Sequence, residues 1–276
     1  MAETIYKTSC VEGFIRLCTD GFNQGWHERN GGNLSYRLSN QDVNETRKYF
    51  QNDSKWIELG VRLKNLKNEY FLVTGTGKFM RNVCIKPEDN IGIVKLNEDG
   101  DKYRVVWGLD GNSFPTSEFP THLMNHSIRK EISNDCDRVI YHCHPVNLIA
   151  LTFVLPVSEK EITRALWKSM TECAVIFPEG VGTVKWMVPG GNKIAAATST
   201  CMKKYRAVVW THHGLFVTGK NYDEAFGLVH TIEKSAEIYL KIKSSGMQVF
   251  QTITDENLLM IEKSFKVHLN REFLNE

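Results

Sequence analysis

This sequence has little unbalanced charge. Its 34 Lys and Arg against 32 Asp and Glu leave a formal net charge of +2, and no Lys/Arg run is dense enough to form a tethering patch. A field that would attract nucleic acid is therefore not expected. Long apolar runs are missing too. Leu148 to Leu155, broken only by Thr152, falls far short of the ~20 residues that cross a bilayer, so no membrane partner is expected. Met1-Ala2-Glu3-Thr4-Ile5-Tyr6-Lys7 lacks the basic and apolar regions of a secretory signal. The seven cysteines are odd in number and lack CxxC spacing, which argues for reduced, separately packed thiols and a cytoplasmic location. Two nucleotide signatures also fail. Gly75-Thr76-Gly77-Lys78 imitates the end of a P-loop, but Leu72 stands where its first glycine belongs, and Met80 replaces the last glycine of a dinucleotide fingerprint.

What is present is ordinary globular composition, 42% hydrophobic and 24% charged over 276 residues, enough for one sizeable domain. Val11, Phe14, Ile15, Cys18 and Phe22 recur at helical spacing and predict an opening helix that ends in Asn30-Gly31-Gly32-Asn33. Leu34, Tyr36 and Leu38 alternate as a strand. Ser39 to about Ser54 is polar and aperiodic, and reads as a surface loop insertion. Tyr70 to Val73, Ile91 to Leu96 and Tyr103 to Trp107 read as strands. Further strands are expected at Val139 to Tyr141, Ala174 to Phe177 and Ala207 to Trp210, with helices near residues 160–170, 192–204, 223–243 and 255–270. The sum is a single α/β layered domain over residues 1–276, with helices covering a mixed sheet.

His142-Cys143-His144 ends one of these strands. Side chains two apart on a strand share a face, so the two imidazoles point together and Cys143 points into the opposite core. Pro145 disfavours helix at His144 and can open the next helix. His212-His213-Gly214 ends a second apolar strand, and His213 is the member chosen to face the same site. Three imidazoles with one open position, taken by Glu118 or water, suit a catalytic zinc, although manganese, iron or cobalt accept the same donors. His122 and His126 share a predicted helix face with Glu118 and are rival ligands, but a face of mixed charge is expected to be solvated.

Thr116 or Ser117 is expected to cap that helix, with Glu118 in its first turn, where a carboxylate also complements the helix dipole. Beside a metal, the same carboxylate could move a proton on and off carbon. Gly31-Gly32-Asn33, Gly75-Thr76-Gly77 and Thr116-Ser117 could each cradle an anion, or simply make turns.

Taken together, Gly25-Trp26-His27-Glu28-Arg29-Asn30-Gly31-Gly32-Asn33-Leu34, Val73-Thr74-Gly75-Thr76-Gly77-Lys78-Phe79, Pro115-Thr116-Ser117-Glu118, His142-Cys143-His144 with Asn147 to Thr152, and His213-Gly214 resemble the class II aldolase/adducin family over most of the chain. The resemblance implies a three-layer αβα fold on a mixed, largely antiparallel sheet. It implies one zinc per subunit held by His142, His144 and His213, with Glu118 as catalytic acid/base. Gly32, Asn33, Thr76, Gly77, Thr116 and Ser117 would then line the phosphate pocket of a small phosphorylated ketose, in a homotetramer with sites near subunit interfaces. The implied reaction is retro-aldol cleavage, in which a divalent cation stabilises the enediolate and Glu118 protonates the carbon released.

Segments around Trp26, Trp167 to Glu172 and Trp186 to Gly190 favour L-rhamnulose 1-phosphate as substrate, giving dihydroxyacetone phosphate and L-lactaldehyde. Other phosphoketose aldolases and a 4-epimerase of the family use a similar site. Glu172 is a candidate second acid/base, supplied from a neighbouring subunit, although a surface or capping role fits it equally. A metal-dependent hydrolase would use the same ligands, with Glu118 activating water, and an adducin-like scaffold would need neither ligands nor carboxylate.

Overall fold

Strands that bury both faces need a helical layer on each side. Val139–Cys143, Ala207–Trp210 and Gly214–Gly219 are buried along their whole length. The computed structural model describes residues 4–51, 53–111 and 113–275. Among these the strands are β1 (Asn33–Arg37), β2 (Ile57–Glu58), β3 (Tyr70–Thr74), β4 (Ile91–Leu96), β5 (Lys102–Gly108), β6 (Val139–Cys143), β7 (Gly182–Val184), β8 (Ala207–Trp210) and β9 (Gly214–Gly219). They form one sheet in the order β2-β5-β4-β3-β1-β6-β9-β8-β7. Every pairing is antiparallel except that of β7 with β8.

The helices are α1 (Ser9–Asn23), α2 (Asn40–Thr46), α3 (Pro87–Asn90), α4 (Phe119–Ile132), α5 (Val146–Val154), α6 (Glu159–Ser169), α7 (Thr171–Ile176), α8 (Asn192–Cys201), α9 (Tyr222–Ser244) and α10 (Asp255–Phe265). They cover both faces of the sheet. On one face Tyr141, Cys143, Val209 and Val217 pack with Phe14 of α1, Leu148 of α5 and Ile232 of α9. On the other, Phe71 and Val73 meet Phe119 and Leu123 of α4, while Ile140, Val208 and Phe216 meet Ile194 of α8. The αβα architecture on a mixed, largely antiparallel sheet is therefore as expected. So is Cys143, fully buried on the face opposite His142.

Four local expectations are corrected. The opening helix ends at Asn23, capped by Gln24 with Gly25 at φ +77°, and not in Asn30 to Asn33. Ala174 to Phe177 is not a strand, because Thr171–Ile176 is helical, with Phe177 N–H bonded to Cys173 C=O at 3.0 Å. A short apolar run lacks the length to separate the two periodicities, and β7 takes the sheet edge instead. The polar stretch after Ser39 is not loop throughout. Ser39 caps α2 in a reciprocal box with Asp42, and Val43 and Thr46 turn inward. Finally, neither Thr116 nor Ser117 caps α4. Thr116 N–H bonds Thr74 C=O at 2.8 Å and Pro115 bridges Gly75, which keeps the segment extended and moves Glu118 to the cap position.

Candidate active site

The register of β6 and β9 sets the centre of the site. His142 pairs with Phe216 and Cys143 with Leu215, so the turn after β8 lies beside the end of β6. His213 belongs to this turn, Thr211 to His213, rather than to a strand, and His212 adopts φ 59°. Alternation along a strand therefore did not select His213; the turn did. Gly214 is needed there because a Cβ would strike the Cys143 carbonyl oxygen and lie 2.9 Å from the His144 ring.

The ring centroids of His142, His144 and His213 are 5.0–5.1 Å apart, and one nitrogen from each lies within 4.8 Å of the others. His142 is almost fully buried, its ring stacked on Phe216 at 4.3 Å and beside Trp210 at 5.0 Å. Its Nδ1–H donates to Leu215 C=O at 3.1 Å. His144 Nδ1–H donates to the Glu28 carboxylate at 2.7 and 3.0 Å. Both bonds leave Nε2 bare, the arrangement in which an imidazole ligates metal while its other nitrogen is held by a second group.

The donor set fits a divalent cation on this structure's own terms. His144 Nε2 is buried without a hydrogen-bond partner, a cost that a metal ion would remove. Burial holds two of the imidazoles, His142 and His213, toward neutrality. It pushes His142 well below the ordinary range and His213 down to about 4, with neighbouring His144 adding to both.

Glu118 approaches from the start of α4. It is 8% exposed, its side chain makes no helix-capping bond, and Oε2 accepts from Asn33 Nδ2–H at 2.7 Å. Burial raises its pKa against the opposing pull of Asn33 and His144. A carboxyl so placed can hold a proton nearer neutral pH than an exposed one.

The three small-residue turns converge on the same space. One cavity of about 200 Å³ is lined by Gly32, Asn33, Thr76, Gly77, Thr116, Ser117, Glu118 and the three histidines. A larger cavity of about 680 Å³ lies beside Arg164 and Tyr239, but the chemistry, not the volume, marks the site. Gly32 has φ +73°, and a Cβ there would come within 2.6 Å of the His142 carbonyl oxygen. The backbone N–H groups of Thr76 and Thr116 are committed to Phe114 and Thr74, so these residues have their hydroxyls to offer.

Glu172 does not join them. It is exposed on α7 and is not among the residues lining this cavity of its own chain. His122 and His126 are not part of the metal-competent cluster either, but they are fully buried rather than solvated. Sequence reasoning assigned no role to Glu28 or to Pro189, which lines the cavity. Glu28 had one visible signal, its place in the segment leading to Gly31. Trp210 read only as a strand apolar, and Phe216 lies on β9, a strand not predicted from the sequence.

The family model for the class II aldolase and adducin N-terminal domain matches residues 12–240, and the chain belongs to that family. Within it, the chain is 46% identical over 265 residues to the rhamnulose-1-phosphate aldolase of Enterobacter sp. strain 638, covering 96% of each. It is 45% identical to the enzyme of the same name from Mannheimia succiniciproducens, covering 95% of this chain and 96% of that one. Among solved structures, a sugar-phosphate aldolase from Thermotoga maritima superposes with a TM-score of 0.72 at 31% identity, covering 86% of this chain and 95% of that one.

Proposed function

We propose that this protein is a zinc-dependent class II aldolase that reversibly cleaves L-rhamnulose 1-phosphate to dihydroxyacetone phosphate and L-lactaldehyde. The observation that carries the reading is the single cavity that gathers three imidazoles, Glu118 and the glycine–threonine turns, in a chain nearly as long as its rhamnulose-1-phosphate aldolase relatives.

His142, His144 and His213 would hold the cation. When bound, it supplies Lewis-acid stabilisation of negative charge on the ketose oxygens. Gly32, Asn33, Thr76, Gly77, Thr116 and Ser117 hold the phosphate end through backbone and hydroxyl donors, which fixes the reacting carbons beside Glu118. Cleavage breaks the bond between C3 and C4 and leaves its electron pair on the ketose fragment. Glu118 delivers a proton to that carbon, and in the synthetic direction removes it.

The C4 hydroxyl loses its proton as it becomes the aldehyde. Glu172 of a neighbouring copy in a homotetramer is our candidate to receive it, which its exposure on α7 permits. The chain is expected to work in the cytoplasm. Among the described residues no helix is long and apolar enough to cross a membrane.

The test is to incubate metal-replete enzyme with L-rhamnulose 1-phosphate or L-fuculose 1-phosphate, coupling dihydroxyacetone phosphate to NADH oxidation, and with L-ribulose 5-phosphate, following the sugar phosphates by NMR. Preference for the first supports the reading, and silence with all three overturns it. Elemental analysis of the purified protein identifies the metal, and light scattering gives the subunit number.

A further inference from the structure

The buried histidines that the metal leaves aside form an ordered chain. His126 Nε2 lies 2.8 Å from Ser35 Oγ, and Ser35 Oγ lies 2.7 Å from His122 Nδ1. His122 Nε2 meets Asn33 Oδ1, and Asn33 Nδ2 meets Glu118 Oε2 at 2.7 Å. Ser35, His122 and His126 are fully buried.

The donors in this chain can be deduced from its end. A carboxylate only accepts, so the amide N–H of Asn33 must face Glu118 and its carbonyl must face His122. His122 is then protonated on Nε2, its bare Nδ1 accepts from the Ser35 hydroxyl, and Ser35 accepts from His126 Nε2–H. The last atom, His126 Nδ1, is bare, and it is buried with no partner. Reversing every bond would instead leave an N–H buried and unpaired there, the more costly of the two ends. Burial also keeps both imidazoles neutral, with His122 pushed down to about 3, so each has one donor and one acceptor as the chain requires.

We propose that His126, Ser35 and His122 are positioning residues: they form a one-way hydrogen-bond chain that locks the amide of Asn33 with its N–H toward Glu118. This deepens the aldolase reading and rests on Glu118 as its proton carrier. Without the lock, the Asn33 amide can turn over and set its carbonyl oxygen against the carboxylate, which loses a charge-assisted donor and displaces Glu118 from the reacting carbon.

The test begins with the intact enzyme. Magic-angle-spinning NMR of 15N-histidine-labelled protein, assigned with His122→Gln and His126→Gln, is expected to show both imidazoles in the Nε2–H form. Nδ1–H at His122 would overturn the proposal without any functional assay.

Ser35→Ala and His122→Leu are then expected to lower kcat about 10- to 100-fold, the range of a lost hydrogen bond to a charged group. KM should stay within about threefold, with cation content unchanged. His122→Gln, which can donate to Asn33 and accept from Ser35, should recover most of that loss. Folded Ser35→Ala and His122→Leu with wild-type kcat would overturn the lock. If these variants fail to fold, the wild-type tautomers still decide. Absence of ketose phosphate cleavage by the wild type would instead remove the aldolase reading, an outcome separate from the tautomer result.

Discussion

One face of β1 is apolar or aromatic and the other polar, although Leu34, Asn33, Ser35 and Arg37 are all buried. Leu34 and Tyr36 point into the packing that includes α1 and α9, where Tyr36 lies against Tyr222 at 4.9 Å. Asn33, Ser35 and Arg37 point the other way, and all three are 7% exposed or less. Each has polar partners. Asn33 and Ser35 join the histidines of α4, and Arg37 pairs with Glu69 at 3.2 Å and Asp135 at 2.8 Å. One face is held by area removed from water, the other by hydrogen bonds that fail individually if a partner is lost. Changes on the first face should therefore cost stability alone, whereas changes at Asn33 or Ser35 on the second should also cost chemistry.

Substitutions can break that division, and they rank by expected effect on turnover. The largest is His142→Ala or His213→Ala, which removes a ligand and should abolish bound metal and activity together; elemental analysis and the coupled assay check it. Glu118→Gln comes next, with metal retained and kcat down about 10²- to 10⁴-fold, the range for a lost proton carrier. Exchange of the carbon-bound proton of dihydroxyacetone phosphate with deuterium, followed by NMR, should be lost with it. Glu28→Gln removes the carboxylate that holds His144 and should weaken metal binding about 10- to 100-fold, measured by competition with a chelator. At the far end, Ile232→Val on the apolar face should cost about 0.5–1.5 kcal/mol in denaturant unfolding and leave kcat unchanged.

Acid should destabilise the fold through buried imidazoles on both sides of the sheet. Burial pushes His27 down to about 4 while it bridges the Gly31 carbonyl and the Tyr141 hydroxyl. His122 is lower still. Unfolding lets each accept a proton near pH 6.5, which the folded protein refuses until its lower pKa is reached. Their stabilising effect is thus complete above about pH 6.5 and is lost as pH falls toward 4, at about 1.4 kcal/mol per pH unit for each group. Metal-free protein melted at pH 7.5 and pH 5 should show this loss, and His27→Gln should reduce it.

Much of the layout was legible because it repeats a period. Side chains of Val139 to Cys143 point alternately to two buried faces, and the helices at α1, α6 and α9 carry their apolar residues on one stripe. His142 and His144 were legible as a pair for the same reason. His213 reached the site by another route, a tight turn whose left-handed residue at 212 leaves little trace in periodicity. The solvated reading of His122 and His126 failed because polar residues on β1 were available to satisfy them, a partnership between segments 87 to 91 residues apart in sequence. Glu172 shows the opposite limit, since no property of one chain says which neighbour an exposed carboxylate would meet.

The ladder joining β6 to β9 has a further consequence. Because all three imidazoles sit at one end of it, with Nδ1 of His142 and His144 already spent, a cation would meet a preorganised claw rather than assemble one. Chelation should therefore silence the enzyme while leaving its fold standing, and adding the ion back should restore turnover at the speed of binding rather than of refolding.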